Sequence, residues 1–173
     1  MSMPVIPIKV ERILVPVSLC SHSEQAFRLA HDLALRFDSE ICAIHVMADP
    51  KEKDPLYSPE IREPDLYDRI FRQRIEKMLE QAGASQKTFK TTRTSITHGG
   101  FADEILRQAK DIHAHLIVMG THAEKTLQQS FTGTTMSNVL KHAPCPVLVI
   151  RYPGPHEEQA AVAAAEVKAG KSV

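Results

Sequence analysis

Residues 13–47 read ILVPVSLCSHSEQAFRLAHDLALRFDSEICAIHVM, and two hydrophobic periods meet within them. Ile13-Leu14-Val15-Pro16-Val17 is a short, nearly continuous apolar run, the pattern of a strand covered on both faces. Ser21-His22-Ser23-Glu24 then has the S-x-x-E form of a capping box. Beyond it Ala26, Leu29, Ala30, Leu33, Ala34 and Phe37 recur at helical spacing and make one apolar stripe. Ile41 to Met47 is a second buried-strand run. The stretch therefore reads strand, helix, strand, a βαβ unit whose two strands must run parallel.

The same alternation continues outward. Residues 48–64 hold four prolines and many charges, which predicts a long exposed connection. A helix is expected from near Asp65, with Tyr67, Phe71, Ile75, Met78 and Ala82 on its apolar side and Gly83 as its C-cap. Thr91 to Thr97 is β-prone but polar, as suits an edge strand. His98-Gly99-Gly100 is a turn, and the next helix sets Ala102, Ile105, Leu106, Ala109 and Ile112 on one face. Leu116 to Met119 is another buried strand, stopping at Gly120. A polar loop over 121–132 leads to a short helix over about 134–142, closed by Pro144. Val147-Leu148-Val149-Ile150 is the last strand. The expected architecture is an open, doubly wound, five-stranded parallel sheet, Rossmann-like with strand order 3-2-1-4-5 and helices on both faces. Residues 10–151 form this domain, residues 1–9 an N-terminal extension and residues 152–173 an alanine-rich tail with helix propensity.

Composition narrows the function. The 173 residues carry 21 Lys+Arg and 21 Asp+Glu, so the net charge is zero and no electrostatic footprint for nucleic acid or an anionic membrane exists. No apolar run approaches the ~20 residues that span a bilayer, and the first 12 residues do not have the form of a signal peptide. A cytoplasmic location is expected. Cys20, Cys42 and Cys145 are widely spaced and make no CxxC pair.

Ligands of open parallel sheets sit beyond the carboxyl ends of the strands at the topological switch point. Two loops belong there, one after the first strand and one after the fourth. The second runs Gly120-Thr121-His122-Ala123, nine residues, then Gly133-Thr134-Thr135. Glycines allow close backbone approach, helix-start amides bind anions, and the threonines add hydroxyl donors. As a bare spacing of glycines, the same residues read equally as turn formers.

The wider stretch is more specific. Residues 113–122 (HAHLIVMGTH), the glycine pair and residues 139–151 (VLKHAPCPVLVIR), with Ile13 to Val17 and the serine-rich helix entrance, resemble the universal stress protein family in order and spacing. The resemblance covers about residues 10–151. It implies an adenine-nucleotide-binding α/β fold, a stress-response or regulatory role, and a homodimer paired through the last strand, Val147, Leu148, Val149 and Ile150. An apolar strand left at a sheet edge would itself be a liability, which agrees with a partner strand there. The family's ATP-binding branch carries G-x-x-G, nine residues, G-[S/T], which Gly120, Gly133 and Thr134 match. By resemblance Met119 and Gly120 face the nucleotide, Gly133, Thr134 and Thr135 hold phosphates, and Val46 lies against adenine, with Val17, Ser18, His122 and Ala123 completing the site. ATP with Mg²⁺ is the implied cofactor. No residue is an obvious general base, so at most slow hydrolysis is expected, through positioning.

The sequence departs from the pattern at informative points. The second glycine is Ala123, the usual aspartate after the first strand is Ser18, and the glycine after it is Leu19. Where positive φ is needed, alanine costs roughly 1–2 kcal/mol, and a missing charged acceptor about 1.5–3 kcal/mol. These changes predict a weakened nucleotide site, or a nucleotide-free protein-interaction module on the same fold. His115 stands where the family more often has an acidic residue. His113, His115 and His122 invite a metal reading, but nothing in the sequence supplies converging ligands, so no metal site is assigned. His45 reads as a satisfied core histidine, His142 as a partner of a helix C-terminus, and Cys145 as a buried structural thiol.

Overall fold

The computed structural model describes residues 9–18, 21–47, 64–121 and 134–151. Each apolar run becomes a strand and each 3.6-period stripe a helix: β1 (Arg12–Pro16), α1 (Ser21–Phe37), β2 (Glu40–Met47), α2 (Pro64–Gln81), α3 (Gln86–Thr91), β3 (Thr92–His98), α4 (Phe101–Asp111), β4 (Leu116–Thr121), α5 (Thr134–His142) and β5 (Val147–Arg151). The strands form one sheet in the order β3-β2-β1-β4-β5, all parallel, as expected.

Two apolar cores lie on opposite faces of this sheet. Ile13, Val15, Val17, Ile41 and Ala43 meet Ala26, Phe27 and Ala30 of α1 and Phe71, Ile75 and Met78 of α2. Leu14, Cys42, Ile44, Val46, Ile117 and Met119 meet Ala102, Ile105 and Ala109 of α4 and Met136 and Val139 of α5. The alternation of β1 and β2 residues between the two clusters is the period-two pleat of strands buried on both sides.

Helix ends are closed by recognisable local chemistry. Gly83, at φ 67°, ends α2: its N–H donates to the Glu80 carbonyl at 3.0 Å and the next amide, Ala84, to Leu79 at 2.9 Å. That is the Schellman arrangement. His113, at φ 49°, ends α4 the same way, with His113 N–H on Lys110 O at 3.0 Å and Ala114 N–H on Ala109 O at 2.8 Å.

Several details differ from the expectations. The capping box places Ser21 before the helix, whereas Ser21 is the first residue of α1 and Glu24 pairs with Arg74 of α2. Helix α3 was not expected: its six residues have no amphipathic period, and only Ser85, whose hydroxyl accepts from the Thr88 amide, marks its start. β4 runs one residue past Gly120, because Thr121 pairs with Arg151. Cys145 is half-buried rather than buried, since it sits in the turn that feeds the edge strand β5. Residues 1–8, the 48–63 connection and the tail from 152 onward lie outside the described residues.

Candidate functional site

The winding direction changes between β1 and β4. The chain passes from β1 to β2 on one side, then crosses from β3 back to β4 on the other. That is the switch point at which open α/β sheets take ligands. A proline sharpens it. The Val17 N–H donates to the Ile44 carbonyl at 2.8 Å, on the β2 side. Amides alternate sides along a strand, so the amide position of Pro16 faces β4. Proline has no N–H to offer there. The β1–β4 ladder accordingly pairs only Ile13 with Leu116 and Leu14 with Ile117. On their outer sides both strands stay paired further, to Pro16–Ile44 and to Thr121–Arg151. The carboxyl ends of β1 and β4 are thus left unzipped from each other.

The turn leaving β1 is held by side chains. The Val17 carbonyl accepts from His45 Nδ1 at 2.8 Å, which places the ring proton on Nδ1 because a carbonyl only accepts. The next amide, Ser18 N–H, donates to Ser23 Oγ at 2.9 Å. The Ser18 and Ser23 hydroxyls lie 2.5 Å apart, and Ser23 also donates to the Ser18 carbonyl at 2.9 Å. Ser23 is buried, whereas Ser18 is exposed. His45 is half-buried and satisfied, with its ring centroid 5.6 Å from that of Phe71 on α2.

The expected site residues divide by face. Val46 and Met119 are buried together in the α4–α5 core, beside Met136 of α5. Val17 is buried in the opposite, α1–α2 core, whereas the next residue, Ser18, reaches the surface. Gly120 is half-buried and paired with Ile150, and Thr135 is half-buried in the first turn of α5. Thr134 begins α5. His122, Ala123 and Gly133 lie outside the described residues, as do Leu19 and Cys20.

Pro16, Ser23 and His45 were not singled out as site residues by the sequence. Pro16 carried a signal, a proline inside a strand pattern. The meeting of His45 with Val17, 28 positions apart, carried none.

The other candidates have structural partners. His142 Nδ1 lies 3.0 Å from the Asn138 carbonyl in the last turn of α5, as expected of a residue at a helix end. His115 Nε2 is 3.9 Å from Glu11, and the His113 carbonyl accepts from Arg12 Nε at 3.3 Å. Among the described residues no group of three or more His, Cys, Asp or Glu side chains could hold a metal. Burial pushes both the Cys42 and the Cys145 thiols up, away from the reactive thiolate. No helix among the described residues is long and apolar enough to cross a membrane.

Comparison with known proteins gives one consistent result. The model of the universal stress protein family matches residues 9–151. A universal stress protein of Methanocaldococcus jannaschii is 29% identical over 149 residues, covering 83% of either chain. The solved structure of universal stress protein UspA from Lactobacillus plantarum has a TM-score of 0.64 and 27% identity, covering 83% of this chain and 99% of that one. A universal stress protein from Archaeoglobus fulgidus, solved in complex with dAMP, shares the fold at a TM-score of 0.57 and 16% identity, over 83% of this chain and 99% of that one. With its sheet order, its switch point and this match over the whole described domain, the chain belongs to the universal stress protein family.

Proposed function

We propose that this chain is a cytoplasmic stress-response or regulatory protein that takes an adenine nucleotide at the carboxyl ends of β1 and β4, with a grip weaker than that of the family's ATP-binding branch. The observation that carries this reading is the retained sequence spacing of Gly120, Gly133 and Thr134, with Gly120 on β4, whose ladder to β1 stops at Leu14–Ile117, and Thr134 at the start of α5. The relative solved with dAMP supports the ligand class. Phosphates would meet the amides at the start of α5, where a helix N-terminus favours anions. The base would rest toward Val46, Met119 and Ser18. If the ligand is ATP, Mg²⁺ would arrive on its phosphates. Chemistry on the nucleotide is limited to slow hydrolysis by positioning, with no residue assigned as a general base.

A weak grip is supported at Ser18, which is neutral and whose hydroxyl is already engaged by Ser23. The same observation favours the second reading, a nucleotide-free protein-interaction module. Equilibrium binding of fluorescently labelled ATP and AMP to the full chain separates the two. Binding in the micromolar to millimolar range supports a nucleotide site, and no binding at millimolar ligand by the folded protein overturns it. The double variant Ser18→Asp, Ala123→Gly should then bind roughly a hundredfold more tightly than the parent, two losses of about tenfold each being restored.

The assembly proposed is a homodimer joined through β5. Its residues Val147 to Ile150 are half-buried on both faces of an edge strand, and unpaired edges are normally covered. Light scattering at micromolar concentration should give twice the 19.3 kDa of one chain. A mass of one chain counts against the dimer.

A further inference from the structure

A single peptide unit, Val17–Ser18, is gripped at both of its polar atoms by side chains from two different elements. Its carbonyl accepts from His45 Nδ1 of β2 at 2.8 Å, and its N–H donates to Ser23 Oγ of α1 at 2.9 Å. This unit lies where β1 has already lost its pairing to β4, so no sheet ladder from that side fixes its orientation. A peptide plane at a strand exit can rotate at little cost when its polar atoms face water. Here rotation would break both hydrogen bonds and leave the buried Ser23 hydroxyl without the Ser18 amide. His45 is itself held, because its ring packs against Phe71 of α2 and its backbone is in the β2–β3 ladder opposite Ile96.

We infer that His45 is a positioning residue for the nucleotide site: together with Ser23 it locks the Val17–Ser18 peptide in one orientation, so that the turn after β1 is set before ligand arrives. This rests on the nucleotide reading above. Among the described residues His45 reaches the site through the Val17 carbonyl, and the role needs its Nδ1–H donor rather than its ring alone. Preorganisation of this kind raises affinity by removing the ordering cost from the binding step.

Two substitutions separate donor from bulk. His45→Asn keeps an N–H close to the position of Nδ1, while His45→Phe keeps an aromatic ring against Phe71 and removes the donor. Each is measured by amide hydrogen exchange of Ser18 in the ligand-free chain, with the Ile44 amide as an internal reference, and by equilibrium binding of labelled AMP. His45→Phe should speed Ser18 exchange at least tenfold relative to Ile44 and weaken AMP binding roughly tenfold, the worth of about one hydrogen bond. His45→Asn should restore both to within about threefold. Unchanged Ser18 exchange in His45→Phe overturns the lock. Equal losses in the two variants also overturn it, because packing and not the donor would then matter. Faster exchange with unchanged AMP affinity overturns the positioning role. If the parent chain binds no AMP, the nucleotide reading fails while Ser18 exchange still decides the lock.

Discussion

Ser23 Oγ grips Ser18 from both sides, accepting from its amide and donating to its carbonyl, each at 2.9 Å. A hydroxyl on the first turns of α1 therefore does for the β1–α1 turn what a strand partner does inside the sheet. Ser23→Ala removes the hydroxyl and leaves the Ser18 amide without that acceptor. The expected loss is about 0.5–1.5 kcal/mol of stability, the net worth of a hydrogen bond, because Ser18 is exposed and water can reach it. Urea unfolding at neutral pH measures it. A change below about 0.5 kcal/mol, the usual range of a surface substitution, would show that the turn is held without Ser23.

Pro16 keeps the ends of β1 and β4 apart by withholding one N–H on the β4 side. Pro16→Ala supplies that N–H, and the β1–β4 ladder should extend past Leu14–Ile117. One added hydrogen bond contributes about 1 kcal/mol, while removing a proline frees the unfolded chain and costs roughly 0.4–1 kcal/mol. Global stability should stay nearly level, so the diagnostic readout is local. The new amide at position 16 should be protected from hydrogen exchange, and labelled AMP should bind more weakly. An unprotected amide would mean that something other than the missing donor holds the strands apart.

His113 closes α4 in the left-handed region, at φ 49°, where a side chain is strained and glycine is not. Its side chain is exposed, and the contact it makes with Arg12 goes through its carbonyl, which any residue keeps. His113→Gly should therefore stabilise the protein by about 1 kcal/mol. Gly83 shows the converse at the end of α2, at φ 67°, and Gly83→Ala should destabilise by a similar amount. Thermal unfolding of the two variants should shift in opposite directions. A drop in melting temperature for His113→Gly would point to a role for the imidazole that its geometry does not indicate.

The strands and long helices could be read from the chain because their burial is periodic. The apolar residues of β1 and β2 alternate between the two cores while those of α1 all enter one, as their spacing requires, and Gly83 announced its turn by being glycine. The features that shape the candidate site were harder to see. His45 and Val17 meet only because β2 pairs with β1 in one register, Pro16 opposite Ile44, and no local pattern encodes that register. His113 looked like a metal candidate in sequence, yet its position is explained by a helix terminus. Helix α3 is too short to display a period, so only its Ser85 cap could have revealed it.

Glu104 ties the end of β3 to α4 and makes stability depend on pH. Its carboxylate accepts from Arg107 Nη2 at 2.6 Å and from the buried Thr97 hydroxyl at 2.5 Å. The Arg107 guanidinium, and after it the Thr97 hydroxyl, hold this carboxyl below the ordinary value of 4.5. A carboxylate with a lowered folded-state pKa binds its proton more readily in the unfolded chain. Its contribution is therefore complete above the ordinary value and is lost as pH falls through the lowered one. Glu104→Gln should be less stable than the parent at pH 7, and the gap should begin to narrow as pH falls below the ordinary value of 4.5 and close only once it passes the lowered folded-state value, where the folded parent takes up its proton. Thr97→Val should narrow the same pH dependence by removing the second hydrogen bond while keeping the side chain's shape. Urea unfolding at a series of pH values tests both, and a gap between Glu104→Gln and parent that persists undiminished in acid would show that Glu104 stabilises the turn by shape alone.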